Sequence, residues 1–275
     1  MYRSIIKELI KWKLDKNKKP LIFYQARQVG KTWIIQDFGK SEYRQMVYIN
    51  FERAEEMRNI FLHDLNPQRL ITAFEFYSGL KITPEDTLIV LDEIQAAKRG
   101  IVSLKYFYEE TPEYQIIAAG SLLGINLHPD ESFPVGKVDM MTLYPMSFYE
   151  FLMAMGEENG LAKIIEEKQF EIMPIFHEKF KEYLKYYFYV GGMPEAVKAF
   201  AENRDWKKSR RIQNKILKNY RNDFSKHAPK EMVPRINMVW DSIPAQLSKE
   251  NKKFIYGVVK EGGRAKEFEM AIQWL

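Results

Sequence analysis

Apolar residues recur at helical spacing from the start of the chain: Tyr2, Ile5, Ile6, Leu9, Ile10 and Leu14. They predict a first helix, broken by the polar run Lys16–Pro20. A short apolar run, Leu21-Ile22-Phe23-Tyr24, then reads as a strand bounded by Pro20. A loop from Gln25 to Gly30 leads into a helical stretch over Lys31–Phe38. Further strand-like runs lie at Met46–Phe51, Thr87–Leu91 and Tyr114–Ala118, and a fifth is expected within Lys137–Leu143. Thr87–Leu91 is continuously apolar, as a strand buried on both faces should be. Helical patterns at Asn66–Leu80 and Ile101–Tyr108 separate the strands. Strands alternating with helices predict a parallel sheet covered on both faces.

The pattern changes after Pro145. Ser147–Met155 and Pro174–Phe188 are helical and aromatic, and Glu195–Lys226 reads as two helices parted near Asn203. No strand signal of comparable strength follows. The expected organisation is a strand-containing core over 1–150, a helical region over 151–228 and a last region over 229–275.

Composition narrows the classes. The 275 residues are 46% hydrophobic and 29% charged, enough to build a core. With no cysteine, disulfide scaffolds, thiolate metal sites and cysteine nucleophiles drop out. No apolar run reaches the ~18 residues of a membrane span, and Met1–Lys19 lacks the apolar segment of a secretory signal. A cytoplasmic protein without membrane partners is the expectation. The net charge of +5 is unevenly spread, because lysine and arginine outnumber acids only after residue 200. That asymmetry points to a polyanion near the C-terminal part; a solvated, lysine-rich helix surface is the alternative.

The strongest chemical feature is Gln25-Ala26-Arg27-Gln28-Val29-Gly30-Lys31-Thr32, between a predicted strand and a predicted helix. The P-loop pattern G-x-x-x-x-G-K-[ST] works because loop and helix N–H groups converge on phosphate oxygens. Its lysine reaches the β/γ-phosphates and its hydroxyl ligates Mg²⁺. Ala26 through Thr32 are therefore the candidate ATP- or ADP-binding residues. Gln25 stands where the pattern has its first glycine, and its Cβ is expected to strain the turn.

The apolar strand Leu88–Leu91 ends in Asp92-Glu93, the Walker B pattern. Asp92 is the candidate Mg²⁺ residue beside Thr32, and Glu93 the group that would polarise an attacking water. A surface Asp-Glu pair capping a strand is the alternative, and the P-loop upstream favours the catalytic reading. The next strand runs into Ala119-Gly120-Ser121, where Ser121 is a candidate sensor of the γ-phosphate; a plain Gly-Ser turn is the other reading. With Lys31, these give Glu93 and Ser121 as the catalytic candidates. No Asn-Lys-x-Asp motif of a GTPase and no G-x-G-x-x-G fingerprint is present, and His63, His128, His177 and His227 are scattered. No protein-held transition metal is expected. The aromatic run Tyr183–Tyr189 could stack bases, but its helical spacing favours packing between helices.

Five blocks in order resemble an archaeal and bacterial family of AAA-superfamily ATPases: Pro20–Ile22 with Ala26–Thr32, Leu91–Gln95, Ala119–Leu123, Leu143–Phe148 and Gly191–Glu195. The resemblance covers essentially the whole chain. It implies an α/β P-loop fold with five parallel strands, a helical lid and the start of a winged-helix-like region. It also implies an ATPase, with homo-oligomers among its relatives. Members usually carry Gly at the position of Gln25. Many carry Arg near Lys137, so Lys137 would be a γ-phosphate sensor acting as a point charge.

Ser248–Lys260 and Gly263–Leu275 read as two amphipathic helices joined at Gly262-Gly263, with Phe268, Ala271, Ile272 and Leu275 on one face. Two helices around a glycine turn match a helix-turn-helix. Lys252, Lys253, Lys260, Arg264 and Lys266, within residues 248–266, would then meet DNA phosphates. A hairpin with solvated lysines is the alternative. The chain stops inside an apolar helix face at Trp274-Leu275, so this last region is expected to be incomplete.

Overall fold

The five apolar runs become five strands of one parallel sheet: β1 (Leu21–Gln25), β2 (Gln45–Asn50), β3 (Thr87–Asp92), β4 (Gln115–Ser121) and β5 (Asp139–Leu143), in the spatial order β2-β3-β4-β1-β5. The computed structural model describes residues 1–121, 132–250 and 253–275, with only the backbone at Ser121 and His227. Leu122, Leu123, His128 and Lys252 therefore lie outside the described residues. The chain divides into two compact units, Met1–Arg210 and Arg211–Leu275.

In the first unit the strand period of two sorts side chains onto two faces. Ile22, Val47, Ile49, Ile89, Leu91 and Ile116 face Phe61, Leu70, Phe74 and Phe107. Leu21, Phe23, Leu88, Val90 and Ile117 face Leu9, Ile34 and Phe38 on the other side. All six residues of β3 are buried, as its unbroken apolar run requires. Each large side chain fully withdrawn from water adds ~1.5–3 kcal/mol to the hydrophobic term.

The covering helices are α1 (Ile5–Leu14), α2 (Lys31–Glu42), α3 (Ile60–His63), α4 (Pro67–Ser78) and α5 (Gly100–Glu110). α4 shows how sequence sets the ends. The Asn66 side chain accepts from the Arg69 N–H, Pro67 occupies the first turn, and Gly79 closes the helix at φ 69°.

After β5 come α6 (Phe148–Ala154), α7 (Leu161–Glu166), a 3-10 turn at Phe170–Phe176, α8 (His177–Val190) and α9 (Pro194–Asn203). α6 opens with a full capping box: Ser147 Oγ accepts from the Glu150 N–H, and the Glu150 carboxylate accepts from the Ser147 N–H. The segment entering α6 is fastened to the segment entering α9. Met146 N donates to Gly192 O at 2.7 Å, and Tyr187 Oη donates to Met146 O at 2.7 Å. A Cβ on Gly192 would stand 2.3 Å from Met146 O, so only glycine fits there. The aromatic run packs as its spacing predicts. Tyr183 is buried, Tyr186 and Tyr189 meet Trp206, and Tyr187 meets Phe148 and Phe151. Of the run's aromatics Phe188, at 76%, and Tyr189, at 40%, stay exposed.

α10 (Trp206–His227) carries the chain into the second unit, which adds α11 (Val233–Leu247), α12 (Tyr256–Val259) and α13 (Ala265–Trp274). Its core is Phe224, Ile236, Val239, Phe268 and Ala271. Here the structure corrects the sequence reading. Among the described residues of Ser248–Lys260, only Tyr256–Val259 are helical. The run Ser248–Lys253 offers no apolar residue to bury, and Gln246 holds the chain extended beyond it. Its Nε2 donates to Ile255 O at 2.9 Å and its Oε1 accepts from Ile255 N at 3.0 Å. The helix preceding it, α11, runs through Pro234 in its first turn, which costs nothing there, and Pro244 near its end. Of the α13 face, Phe268 and Ala271 are buried but Leu275 is 41% exposed. No described helix is long and apolar enough to cross a membrane.

Candidate active site at the sheet edge

Register places three strand ends on one edge of the sheet: Gln25 pairs with Ser121, and Asp92 pairs with Ala119 in the same strand, β4. Open parallel sheets bind ligands at the carboxyl ends of their strands. The loop Ala26–Gly30 leaves β1 at this edge and turns into α2 at Lys31.

The strain expected at Gln25 is elsewhere. Gln25 is the last residue of β1, hydrogen-bonded in register with β4 and β5, and its φ is not positive. Its Cβ therefore sits on an ordinary strand position. The left-handed residues of the loop are Gln28, at φ 65°, and Gly30, at φ 93°. A Cβ on Gly30 would meet nothing closer than 3.8 Å, so the backbone angle rather than crowding calls for glycine. The Gln25 side chain is buried and donates from Nε2 to Gly120 O at 2.8 Å, tying the loop's root to β4.

Lys31, Asp92 and Glu93 meet. Lys31 Nζ lies 2.6 Å from Asp92 Oδ1 and 2.5 Å from Glu93 Oε1, with only a tenth of the lysine side chain exposed. Glu93 is left-handed, at φ 50° and ψ 44°, which turns its carboxylate back toward the loop. Gln95 Nε2 donates to Glu93 Oε2 at 2.7 Å, so both Glu93 oxygens are held.

The sequence reading missed two neighbours. Tyr48 Oη donates to Asp92 Oδ2, and Asn50 Nδ2 donates to the same oxygen at 3.2 Å. Burial, and then the bond to Asp92, raise the Tyr48 hydroxyl above its usual titration range, so it stays a donor. The Thr32 hydroxyl pulls the other way on this phenol and lowers it, so Thr32 lies close to the residue that holds Asp92. The signal was present in the strand: Tyr48 and Asn50 share a face of β2, and Asn50 stands opposite Asp92.

Arg3 was also missed, and a single arginine before a helix gives no sequence signal. It is 5% exposed. Its Nη1 donates to Val29 O at 2.9 Å, its Nη2 to Tyr144 O at 2.6 Å and its Nε to Glu150 Oε1 at 3.3 Å. One guanidinium thus joins the P-loop backbone, the end of β5 and the capping box of α6. Beside it a cavity of about 200 Å³ opens along Gly30, lined by Met1, Arg3, Trp33, Pro194 and Lys198.

Two further expectations fall differently. Ser121 reaches the edge by its backbone, but its side chain lies outside the described residues. Lys137 precedes β5, whose first residue pairs with Leu21, so it lies at the opposite edge of the sheet from the P-loop. There its Nζ pairs with Glu109 at 2.9 Å, which excludes it as a sensor at Gly30–Thr32. Among the described residues no three His, Cys, Asp or Glu side chains form a metal cage. One hydroxyl and one carboxylate, Thr32 and Asp92, suit Mg²⁺, which keeps most of its waters and takes the rest of its ligands from phosphate.

Residues 17–152 match the family described as AAA domain. Residues 181–275 match a second family, described as a domain of unknown function (DUF8612). Among curated proteins, "Uncharacterized protein MJ1637" of Methanocaldococcus jannaschii is 25% identical over 211 residues, covering 70% of this chain and 42% of that protein. The chain thus spans less than half the length of this relative. Among solved structures, "Structure of C. elegans PCH-2" is 14% identical over 58% of this chain and 44% of that one, with a TM-score of 0.30. A superposition that loose lends no argument.

Proposed function

This chain belongs to the AAA-type P-loop proteins through its domain at residues 17–152, and from that premise we propose that it binds ATP with Mg²⁺ and hydrolyses the β–γ phosphoanhydride. Backbone N–H groups of Ala26, Arg27, Gln28, Val29 and Gly30, with the start of α2, cradle the phosphates. Lys31 neutralises the β/γ oxygens, Thr32 and Asp92 hold Mg²⁺, and Ser121 senses the γ-phosphate. Bound there, the cation would neutralise developing phosphate charge. Glu93 takes the proton of an attacking water. Asp92 is fixed for its part by Tyr48 and Asn50, which occupy one of its oxygens.

One observation carries the reading. Lys31 and the Asp92-Glu93 pair, 61 positions apart in the chain, are in direct contact at the carboxyl edge of the sheet. A surface Asp-Glu cap would have no reason to share a buried lysine with a P-loop.

The test is ATP turnover and nucleotide affinity for the wild type, Glu93→Gln and Lys31→Ala. Turnover lost in Glu93→Gln with affinity retained supports the enzyme. Tight binding without wild-type turnover replaces it with a nucleotide-gated switch. Unchanged ATP affinity in Lys31→Ala overturns the site.

A further inference from the structure

One helix of the second unit carries a row of exposed cations. Within α10, Arg211, Lys215, Lys218, Arg221 and Lys226 are all exposed, and the acid in that stretch, Asp223, is only partly so. At 100° per residue Arg211, Lys215 and Lys218 fall within a ~60° arc, flanked by Arg221 on one side and Lys226 on the other. Asp223 lies outside that arc. The five cations span ~22 Å along the axis, at intervals of ~4.5–7.5 Å. That is the reach of several consecutive phosphates of an extended strand. Among the described residues of the expected helix-turn-helix, Lys253, Lys260 and Arg264 lie outside the helices and Lys266 alone is on α13, so they form no such row.

Beside this row runs a groove of about 570 Å³ between α10 and α11, and the two features share residues. Its walls are Leu217, Trp240, Ile243 and Pro244, and its rim carries Lys218, Arg221 and Asp241. Arg221 Nη2 is paired with Asp241 Oδ1, which holds the guanidinium at the rim. Leu217 is half exposed to solvent along this groove. Trp240 is braced from behind, stacked on Tyr220 at 5.7 Å and edge-on to Phe224 at 5.1 Å. A row of cations bordering an aromatic, apolar slot matches a polyanion that also exposes flat apolar rings.

We propose that this face of α10, with the adjoining groove, binds single-stranded polynucleotide. The phosphates lie along Arg211, Lys215 and Lys218, and an unstacked base enters the groove at Leu217 and Trp240. Duplex DNA supplies the same phosphates but keeps its bases stacked, so it fills only the charged row. The proposal does not rest on the nucleotide site of the first unit.

The experiment measures fluorescence anisotropy of labelled 20-nucleotide single strands, DNA and RNA, and of the matching duplex, with the full chain. Three to four phosphate contacts give an affinity that falls roughly 20–50-fold between 50 and 200 mM salt. The single strands bind at least fivefold more tightly than the duplex. Arg211→Glu with Lys215→Glu weakens all three probes at least tenfold; Leu217→Glu weakens the single strands and spares the duplex. DNA and RNA arms that differ identify the natural strand. If a charge-reversed protein melts early, Arg211→Gln with Lys215→Gln replaces it, with a smaller loss in the same order. Affinity without salt dependence, binding unmoved by the Arg211 and Lys215 changes, or duplex bound as tightly as single strand overturns the proposal. Displacement by polyglutamate at equal charge concentration also overturns it, in favour of an acidic protein segment.

Discussion

The two units handle charge in opposite ways. In the first, the ionic groups that matter are paired and mostly withdrawn from water: Arg3 with Glu150, Lys31 with both Asp92 and Glu93, and the largely buried Glu157 with a half-exposed Lys179. In the second, α10 carries a row of exposed cations, one of which, Arg221, is paired with Asp241. Buried pairs are costly to break because the remaining partner keeps its desolvation penalty and loses its counter-charge. Exposed cations of one sign are cheap to remove, since water already screens them. The first arrangement fixes atoms in place; the second stores attraction for something that arrives from outside. Stability measurements and binding measurements should therefore divide cleanly between the two units.

The largest stability effect is expected at Arg3. Arg3→Ala leaves the Glu150 carboxylate buried with only backbone partners and strips a donor from Val29 O and Tyr144 O. Removing one member of a buried pair costs ~3–5 kcal/mol. Urea unfolding of the first unit should show that loss, and nucleotide affinity should fall with it because the Val29 carbonyl is no longer anchored. A change below about 1 kcal/mol would mean that the guanidinium is as dispensable as a surface pair and would erase the contrast.

Much of the first unit was legible because its signals are local. Continuous apolar runs announced β1, β3 and β4, and Gly30-Lys31-Thr32 with Asp92-Glu93 announced an edge. The contacts that complete that edge were not local. Tyr48 and Asn50 reach Asp92 only through the β2–β3 register, and Arg3 reaches Val29 and Glu150 only after the chain has folded. The supposed defect at Gln25 was misjudged for a related reason. From the sequence a Cβ is expected to strain the turn there, whereas Gln25 ends β1 in extended backbone and the positive φ falls at Gln28 and Gly30. In the second unit, prolines concealed α11 and the Gln246 amide undid a helix that composition alone allows.

A middle effect is expected at Glu157. Burial raises its pKa, but hydrogen bonds from Lys179 at 2.8 Å, Tyr183 at 2.9 Å and the Leu161 N–H outweigh that, so the net shift is downward from 4.5. A folded-state pKa below the unfolded one adds stability that is complete above about pH 4.5 and is lost as pH falls through the folded value. Because Lys179 is half exposed, about 1 kcal/mol at pH 7 is the expected size. Glu157→Gln should be destabilised by that amount at pH 7 and should converge with the wild type as pH falls through the lowered folded-state pKa. A difference that persists or grows in acid would show that the carboxylate is not held in its charged form.

The smallest stability effect is expected on α10, where the comparison is most exposed to refutation. Reversing Arg211 and Lys215 to Glu changes two exposed side chains and relieves repulsion among cations three and four residues apart. The unfolding free energy should move by no more than ~0.5 kcal/mol, in either direction. Polynucleotide affinity in the same protein should fall at least tenfold. Only that dissociation, binding lost while stability holds, separates a surface charged for a partner from one whose lysines merely keep the helix soluble. If urea midpoints shift by as much as they do for Glu157→Gln, the row is part of the second unit's own framework. Its charge would then answer to contacts inside the fold rather than to a strand laid along it.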